Sequence, residues 1–136
     1  MLFRSLHQVL AASDYVVLTV PLTPTTKGMI GKGELRAMKP GSVLINGSRG
    51  GVVDEAALVA ALDQGQLDLV ASDVFAEEPL PAEHPLWSHP RSVVTPHVAG
   101  FAPDYLDVVA ALFTQNLARY LDGLPLLNVA DREKGY

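Results

Sequence analysis

The residues in this sequence best suited to chemistry are an arginine, a pair of glutamates and a histidine. Arg49 lies in the stretch SVLINGSRGG at residues 42–51, Glu77 and Glu78 precede Pro79, and His97 follows Thr95 and Pro96. The planar fork of an arginine matches a carboxylate through two parallel hydrogen bonds. Gly47, Gly50 and Gly51 beside Arg49 are residues that let backbone approach a ligand closely. A carboxylate next to an imidazole favours the charged ring and fixes which ring nitrogen faces a substrate, as a general acid requires. The three types together suit reduction of a 2-oxo acid. The arginine holds the carboxylate and polarises the adjacent carbonyl, and the histidine protonates the oxygen as a hydride arrives. Plainer roles exist for each: Arg49 as a turn residue or a partner of Asp54 or Glu55, and Asp73 as a turn cap. Spacing alone does not supply the hydride donor.

These groups need a scaffold, and the hydrophobic pattern predicts one. Leu2, Phe3, Leu6, Val9 and Leu10 have helical spacing over residues 2–12, and a continuous apolar run at 15–20 reads as a strand stopped by Pro21. The polar, glycine-broken segment 23–38 predicts two short helical pieces, the second at 33–38. Val43, Leu44 and Ile45 form a buried strand between Lys39-Pro40-Gly41 and Gly47. Asp54 then caps a helix at 55–64 that Gly65 ends. Strands at 69–74 and 92–95 flank a loop rich in proline. A long helix at 103–123 carries Leu106, Val109, Phe113, Leu117, Tyr120 and Leu121 on its apolar positions. Apolar strands alternating with helices or long crossovers imply an α/β fold with a parallel sheet covered on both faces. In such a sheet ligands gather at the carboxyl ends of the strands. Pro21, then Gly47-Ser48-Arg49, then Asp73 with Glu77-Glu78, and finally His97 and Gly100 all fall at those ends.

The 136 residues carry a net charge of −5 with no basic cluster, which argues against a nucleic-acid surface or an anionic membrane as partner. Without cysteine there is no disulfide framework and no thiolate zinc site. No apolar run approaches the roughly 20 residues of a membrane span, and no signal-peptide pattern opens the chain, so a cytoplasmic protein is expected. His7, His84 and His89 read as structural, without metal-ligand spacing. Trp87 is expected to plug a core beneath the HPLWSHP loop, with a place in the wall of a substrate pocket as its other reading.

The ordered motifs VPLTPTTKGMI, MKPGSVLINGSRGGVVDEAAL, ASDVFAEEPLP, and HPLW followed by VVTPHVAG resemble the NAD-binding domain of the D-isomer-specific 2-hydroxyacid dehydrogenases over nearly the whole chain. The ending from HPLWSHPR to ADREKGY looks most like the glyoxylate/hydroxypyruvate reductases of that family. The resemblance implies the C-terminal part of a Rossmann-like, doubly wound parallel sheet with a C-terminal helix. The partial domain would span residues 1–127, followed by a polar tail at 128–136. Catalytic roles fall on Arg49 in the NxxRG loop, Glu78 before Pro79, and His97 after TP. Cofactor contacts are implied at Val20 and Pro21 for the adenosine side, at Thr26 for phosphate or ribose, and at Gly47 and Ser48 beside the nicotinamide. Asp73 would meet the carboxamide, with Arg49, His97 and Gly100 nearby.

The family commonly has threonine where Gly47 stands and alanine or another small residue where Ser48 stands. The cofactor is NAD or NADP, NADPH being favoured by the subgroup likeness. A small 2-oxo or 2-hydroxy acid is the implied substrate. The family's strand, G-x-G-x-x-G turn and helix do not occur in this sequence; Gly28, Gly31 and Gly33 have the wrong spacing and lie in a polar loop. The resemblance therefore implies a larger enzyme with an N-terminal half, a substrate domain and a homodimeric assembly. The isolated chain is expected to associate, to be marginally stable, and to be weak or inactive. A different class of function, a dinucleotide-responsive interaction module of the corepressor kind without significant turnover, would keep the same residues. A truncated, inactive product of a split gene is a third.

Overall fold

Short β-branched and aliphatic runs, each closed by turn formers, pair as a four-stranded parallel sheet in the order β1-β2-β3-β4. The computed structural model describes residues 5–134. The chain divides into two compact units, residues 1–99 and 100–136. In the first unit β1 (Tyr15–Leu18), β2 (Ser42–Asn46), β3 (Leu67–Ser72) and β4 (Ser92–Val94) are connected through α1 (Leu6–Ala12) ahead of β1, α2 (Lys32–Ala37), α3 (Glu55–Asp63) and a 3-10 turn (Pro85–Trp87).

The register decides what each strand buries. Val16 pairs with Leu44, and Leu44 with Val70; this row is buried and shares one core with Leu10 of α1, Leu35 of α2, and Leu58 and Leu62 of α3. Each such side chain contributes roughly 1.5–3 kcal/mol when fully removed from water. The alternate row runs Tyr15, Val17, Val43, Ile45, Ala71 and Val93. Here the fold departs from the expectation of cover on both faces: Tyr15 is 71% exposed, Val17 59% and Val93 49%. A continuous apolar run records that both faces favour burial, not which element covers each.

Strands β1 and β4 and helix α4 (Tyr105–Leu121) end one or two residues inside their expected bounds, and three other segments differ for local reasons. The described part of the first helix starts at Leu6, because the Ser5 hydroxyl accepts from the Gln8 amide (3.3 Å) as its cap; Leu2 and Phe3 lie outside the described residues. Of the two helical pieces expected over 23–38, only α2 forms. The first is a single turn, in which the Thr26 hydroxyl donates to the Pro21 carbonyl (2.6 Å) and accepts from the Thr23 amide (2.8 Å), and Gly28 then takes φ +63°. Hydroxyls that bind nearby backbone in this way compete with helix propagation. The third strand begins at Leu67 and leaves the ladder after Ser72, short of the expected 74. The capped helix α3 does follow the sequence closely: Asp54 Oδ1 accepts from the Ala57 amide (3.0 Å), and Gly65 turns the chain at φ +71°.

In the second unit α4 (Tyr105–Leu121) begins just past Pro103 and none of its residues is buried. Asn116 ties the following loop to the helix, giving its amide to the Leu127 carbonyl (3.1 Å) and accepting from the Leu127 amide (2.7 Å). Among the described residues no helix is long and apolar enough to cross a membrane.

Candidate active site

The end of β2 is shaped by Asn46. Its buried side-chain oxygen accepts from both the amide (3.2 Å) and the hydroxyl (2.7 Å) of Ser48, a turn that a short amide side chain can close on itself. Ser48 is thereby drawn inside and Arg49 is left exposed. The Arg49 guanidinium gives one bond, from Nη1 to the Ser48 carbonyl (2.7 Å). Among the described residues it has no carboxylate partner, so neither Asp54 nor Glu55 occupies it. Its remaining donors are available to a bound anion. The glycines beside it divide their duties. Gly47 is open, with nothing within 4 Å of where a Cβ would stand, whereas a Cβ on Gly50 would fall 1.7 Å from the Phe75 carbonyl oxygen. The close backbone approach expected at Gly50 is to the neighbouring loop, not to a ligand.

At the end of β3, Asp73 is buried and its amide donates to the Asn46 carbonyl (3.0 Å). One carboxylate oxygen accepts from the Thr95 hydroxyl and the Val98 amide (2.9 Å), and the other from the Ala99 amide (2.8 Å). Burial opposes its charge, but the bonds from Thr95, Ala99 and Val98 and the nearby His97 outweigh it and hold the carboxyl below its ordinary range. The loop gripped this way includes His97, whose φ of +55° is a conformation that side chains rarely adopt without such support. Asp73 therefore fixes the 95–99 loop.

Glu78 and His97, nineteen residues apart, meet directly: His97 Nδ1 lies 2.8 Å from Glu78 Oε2. The other Glu78 oxygen accepts from the Phe75 amide (2.9 Å). The hydrogen bond with His97, then that from Phe75, together lower the Glu78 carboxyl below its ordinary value, against a smaller cost of burial. A glutamate held ionised accepts a hydrogen bond from Nδ1–H and leaves Nε2 without a partner among the described residues. Glu77 is exposed and has no partner among the described residues, so the choice of Glu78 over Glu77 is settled by contact. Beside the pair is a cavity of about 400 Å³, bounded by Phe75, Leu80, Trp87, Val94 and Pro96 in addition to the two polar groups. Trp87 is thus not the plug expected beneath its loop. The 3-10 turn points Leu86 inward, 1% exposed, and leaves Trp87 51% exposed, with its indole N–H on the Pro81 carbonyl (3.0 Å). His84 and His89 do serve backbone, accepting from the Leu86 (3.3 Å) and Arg91 (3.1 Å) amides.

The residues expected at a dinucleotide fall into two groups. Val20, Pro21 and Gly47 offer aliphatic surface and bare backbone beside the strand ends. Thr26, Ser48 and Asp73 are polar but already bonded within the protein. Gly100 opens the second unit and is exposed. The open backbone at Gly47, next to an arginine without a carboxylate partner, fits the nicotinamide end of such a cofactor; the glycine fingerprint for its pyrophosphate is not in this sequence. Sequence reasoning had no place for Thr95 or Asn46, although an Asn-Gly pair at a strand end was a legible turn signal for the latter.

Residues 1–99 match the family model described as D-isomer specific 2-hydroxyacid dehydrogenase, NAD binding domain. Among curated proteins, glyoxylate/hydroxypyruvate reductase B of Yersinia enterocolitica is 43% identical over 88% of this chain and 36% of its own length. Glyoxylate reductase of Aeropyrum pernix is 38% identical over 96% of this chain and 39% of its own length. The chain thus spans little more than a third of the length of these two relatives. Among solved structures, a D-isomer specific 2-hydroxyacid dehydrogenase from Xanthobacter autotrophicus Py2, in complex with NADPH and MES, superimposes with a TM-score of 0.89 at 42% identity, over 96% of this chain and 53% of that one. An NADPH-dependent glyoxylate/hydroxypyruvate reductase from Sinorhizobium meliloti, in complex with NADP and sulfate, gives 0.88 at 35% identity, over 96% and 42%. With its parallel sheet, its strand-end arginine and its glutamate–histidine pair, the chain belongs to the D-isomer-specific 2-hydroxyacid dehydrogenase family, in the part that forms the NAD-binding domain.

Proposed function

We propose that this chain supplies the acid–base part of an NAD(P)-dependent reductase of small 2-oxo acids, of the glyoxylate/hydroxypyruvate type. The observation that carries the reading is the 2.8 Å contact of Glu78 with His97 on a loop pinned by Asp73, on the same sheet edge as an arginine free of carboxylate partners. Arg49 takes the substrate carboxylate in its fork and draws charge toward the adjacent carbonyl. His97 gives the proton on Nε2 to the carbonyl oxygen as that oxygen becomes a hydroxyl. Glu78, holding Nδ1, keeps the ring in that orientation. The nicotinamide, when bound, supplies the hydride; Gly47 would lie along it, Val20 and Pro21 would lie toward the adenosine side, and the likeness to the NADPH-bound and NADP-bound neighbours favours the phosphorylated form.

The remaining length of the relatives corresponds to the partner this segment needs. It would provide the pyrophosphate cradle and the other wall of the substrate site, and it would cover Tyr15, Val17 and Val93. A cytoplasmic homodimer is the assembly that goes with this reading, and the isolated chain turns over weakly or not at all. The test is a chimera in which this chain replaces the matching stretch of the Aeropyrum pernix relative. NADPH oxidation with glyoxylate is expected in the chimera. In Arg49→Gln the KM for glyoxylate is expected to rise on the order of a hundredfold with cofactor affinity little changed. A chimera that binds NADPH but reduces neither glyoxylate nor hydroxypyruvate overturns the proposal.

A further inference from the structure

Arg49 follows β2 and Glu78 follows β3, and no direct side-chain bond joins them, yet a hydride acceptor held by one and protonated beside the other demands a fixed separation. A second carboxylate, outside the motif positions assigned to chemistry, spans the two loops. Glu55, the first residue of α3, accepts from the Ala76 amide through Oε1 (2.6 Å). The amide next to it in the chain, that of Phe75, is the one that donates to Glu78 Oε1 (2.9 Å). Two consecutive amides are thus held by two carboxylates, one fixed to the helix that follows the Arg49 turn and one contacting His97. Gly50 presses the same place from the Arg49 side, its α-carbon so near the Phe75 carbonyl that a side chain has no room.

The other Glu55 oxygen faces His84 Nε2 at 3.5 Å, and both side chains are about four-fifths buried, at 20% and 19% exposure. His84 Nδ1 accepts from the Leu86 amide (3.3 Å), which leaves the ring proton on Nε2, the nitrogen 3.5 Å from Glu55. The carboxylate is therefore held from the far side by the 84–87 turn. We propose that Glu55, steadied by His84, is a positioning residue that sets Glu78, and through it His97, at a fixed distance from the Arg49 loop. This rests on the catalytic reading of Arg49, Glu78 and His97, although its first test does not.

That test reads Glu78 itself in the 136-residue chain, by NMR titration of its carboxyl carbon. His97 and the Phe75 amide lower the Glu78 carboxyl, and Asp73 is the other charged group that acts on it. Glu55→Ala, by freeing the 75–76 backbone, is expected to raise the Glu78 midpoint by about half a unit or more, and Glu55→Gln, which keeps an acceptor for Ala76, to restore most of it. An unchanged Glu78 midpoint in Glu55→Ala overturns the proposal. Should that variant not fold, amide exchange in the unaltered chain decides. Positioning requires Phe75 and Ala76 to exchange together, and a protected Ala76 beside a freely exchanging Phe75 overturns it. In the chimera Glu55→Ala is expected to lower kcat on the order of tenfold, more than it raises KM, with recovery in Glu55→Gln. A chimera without turnover would count against the catalytic reading, while the Glu78 titration would still decide the role of Glu55.

Discussion

Two glutamate–histidine contacts, one at each end of the 75–76 backbone, are built oppositely. In the outer one, Glu78 and His97 are 35% and 45% exposed and 2.8 Å apart. The imidazole uses Nδ1 on the glutamate and keeps Nε2 without a partner among the described residues. In the inner one, Glu55 and His84 are more buried and 3.5 Å apart, and both nitrogens have a neighbour, Nε2 facing Glu55 and Nδ1 accepting from the Leu86 amide. The same two residue types thus give a ring with a proton to exchange and a ring without one. What separates them is where the backbone amide falls: His84 accepts one itself, whereas at the outer pair the Phe75 amide goes to the glutamate. An imidazole is fitted for acid–base work by the nitrogen its neighbours leave alone.

The comparison is tested most severely by removing each ring in turn from the chimera. His97→Ala is expected to lower glyoxylate turnover by about 10² to 10⁴, the usual worth of a general acid. His84→Ala is expected to cost about tenfold or less, because the ring holds Glu55 and caps the 85–87 turn without donating a proton to substrate. Equal losses would abolish the distinction between a proton-donating ring and a holding one. The next largest effect is on stability. Gly50→Ala drives a methyl group into the Phe75 carbonyl and is expected to cost about 3 kcal/mol or more in chemical denaturation. Gly47→Ala, in open space three residues away, is expected to stay within about 0.5 kcal/mol. A tolerated Gly50→Ala would mean that the two strand-end loops are not clamped together at all.

How much of this was legible in the sequence follows the range of the interactions. The α3 helix, with Asp54 before it and Gly65 after it, is written in local rules and forms nearly as expected. The placement of Arg49, Glu78 and His97 at strand ends followed from alternating apolar runs and turns, because a parallel sheet collects such ends along one edge. The roles of Glu55 and Gly50, and which loop Asp73 holds, were not legible in the same way. Each depends on a partner more than twenty residues away, Ala76, Phe75 or the 95–99 loop, and no periodicity carries that information. Trp87 was misjudged for a related reason. A large aromatic in a proline-rich loop reads as core, but Pro85 starts a tight turn that sends only one of two adjacent apolar residues inward, and Leu86 takes that place. The open sheet face shows the same limit from the other side: Tyr15 and Val17 look like interior residues in sequence and are exposed.

The smallest effect separates the outer pair by its charge. The Glu78 carboxyl sits below its ordinary value of 4.5, so its ionised form favours the folded state. A group lowered on folding contributes its stability above the unfolded value, and that contribution disappears as pH falls through the folded one. Glu78→Gln keeps an acceptor for the Phe75 amide but not the charge, so its midpoint in urea is expected to lie below that of the unaltered chain at neutral pH. The gap should close as the solution is acidified past the glutamate range. Partial exposure keeps the gap modest, since water screens the pair. A gap that stays constant down to pH 3 would mean that Glu78 holds its loop through geometry alone, and the electrostatic half of the contrast with Glu55 would fall with it.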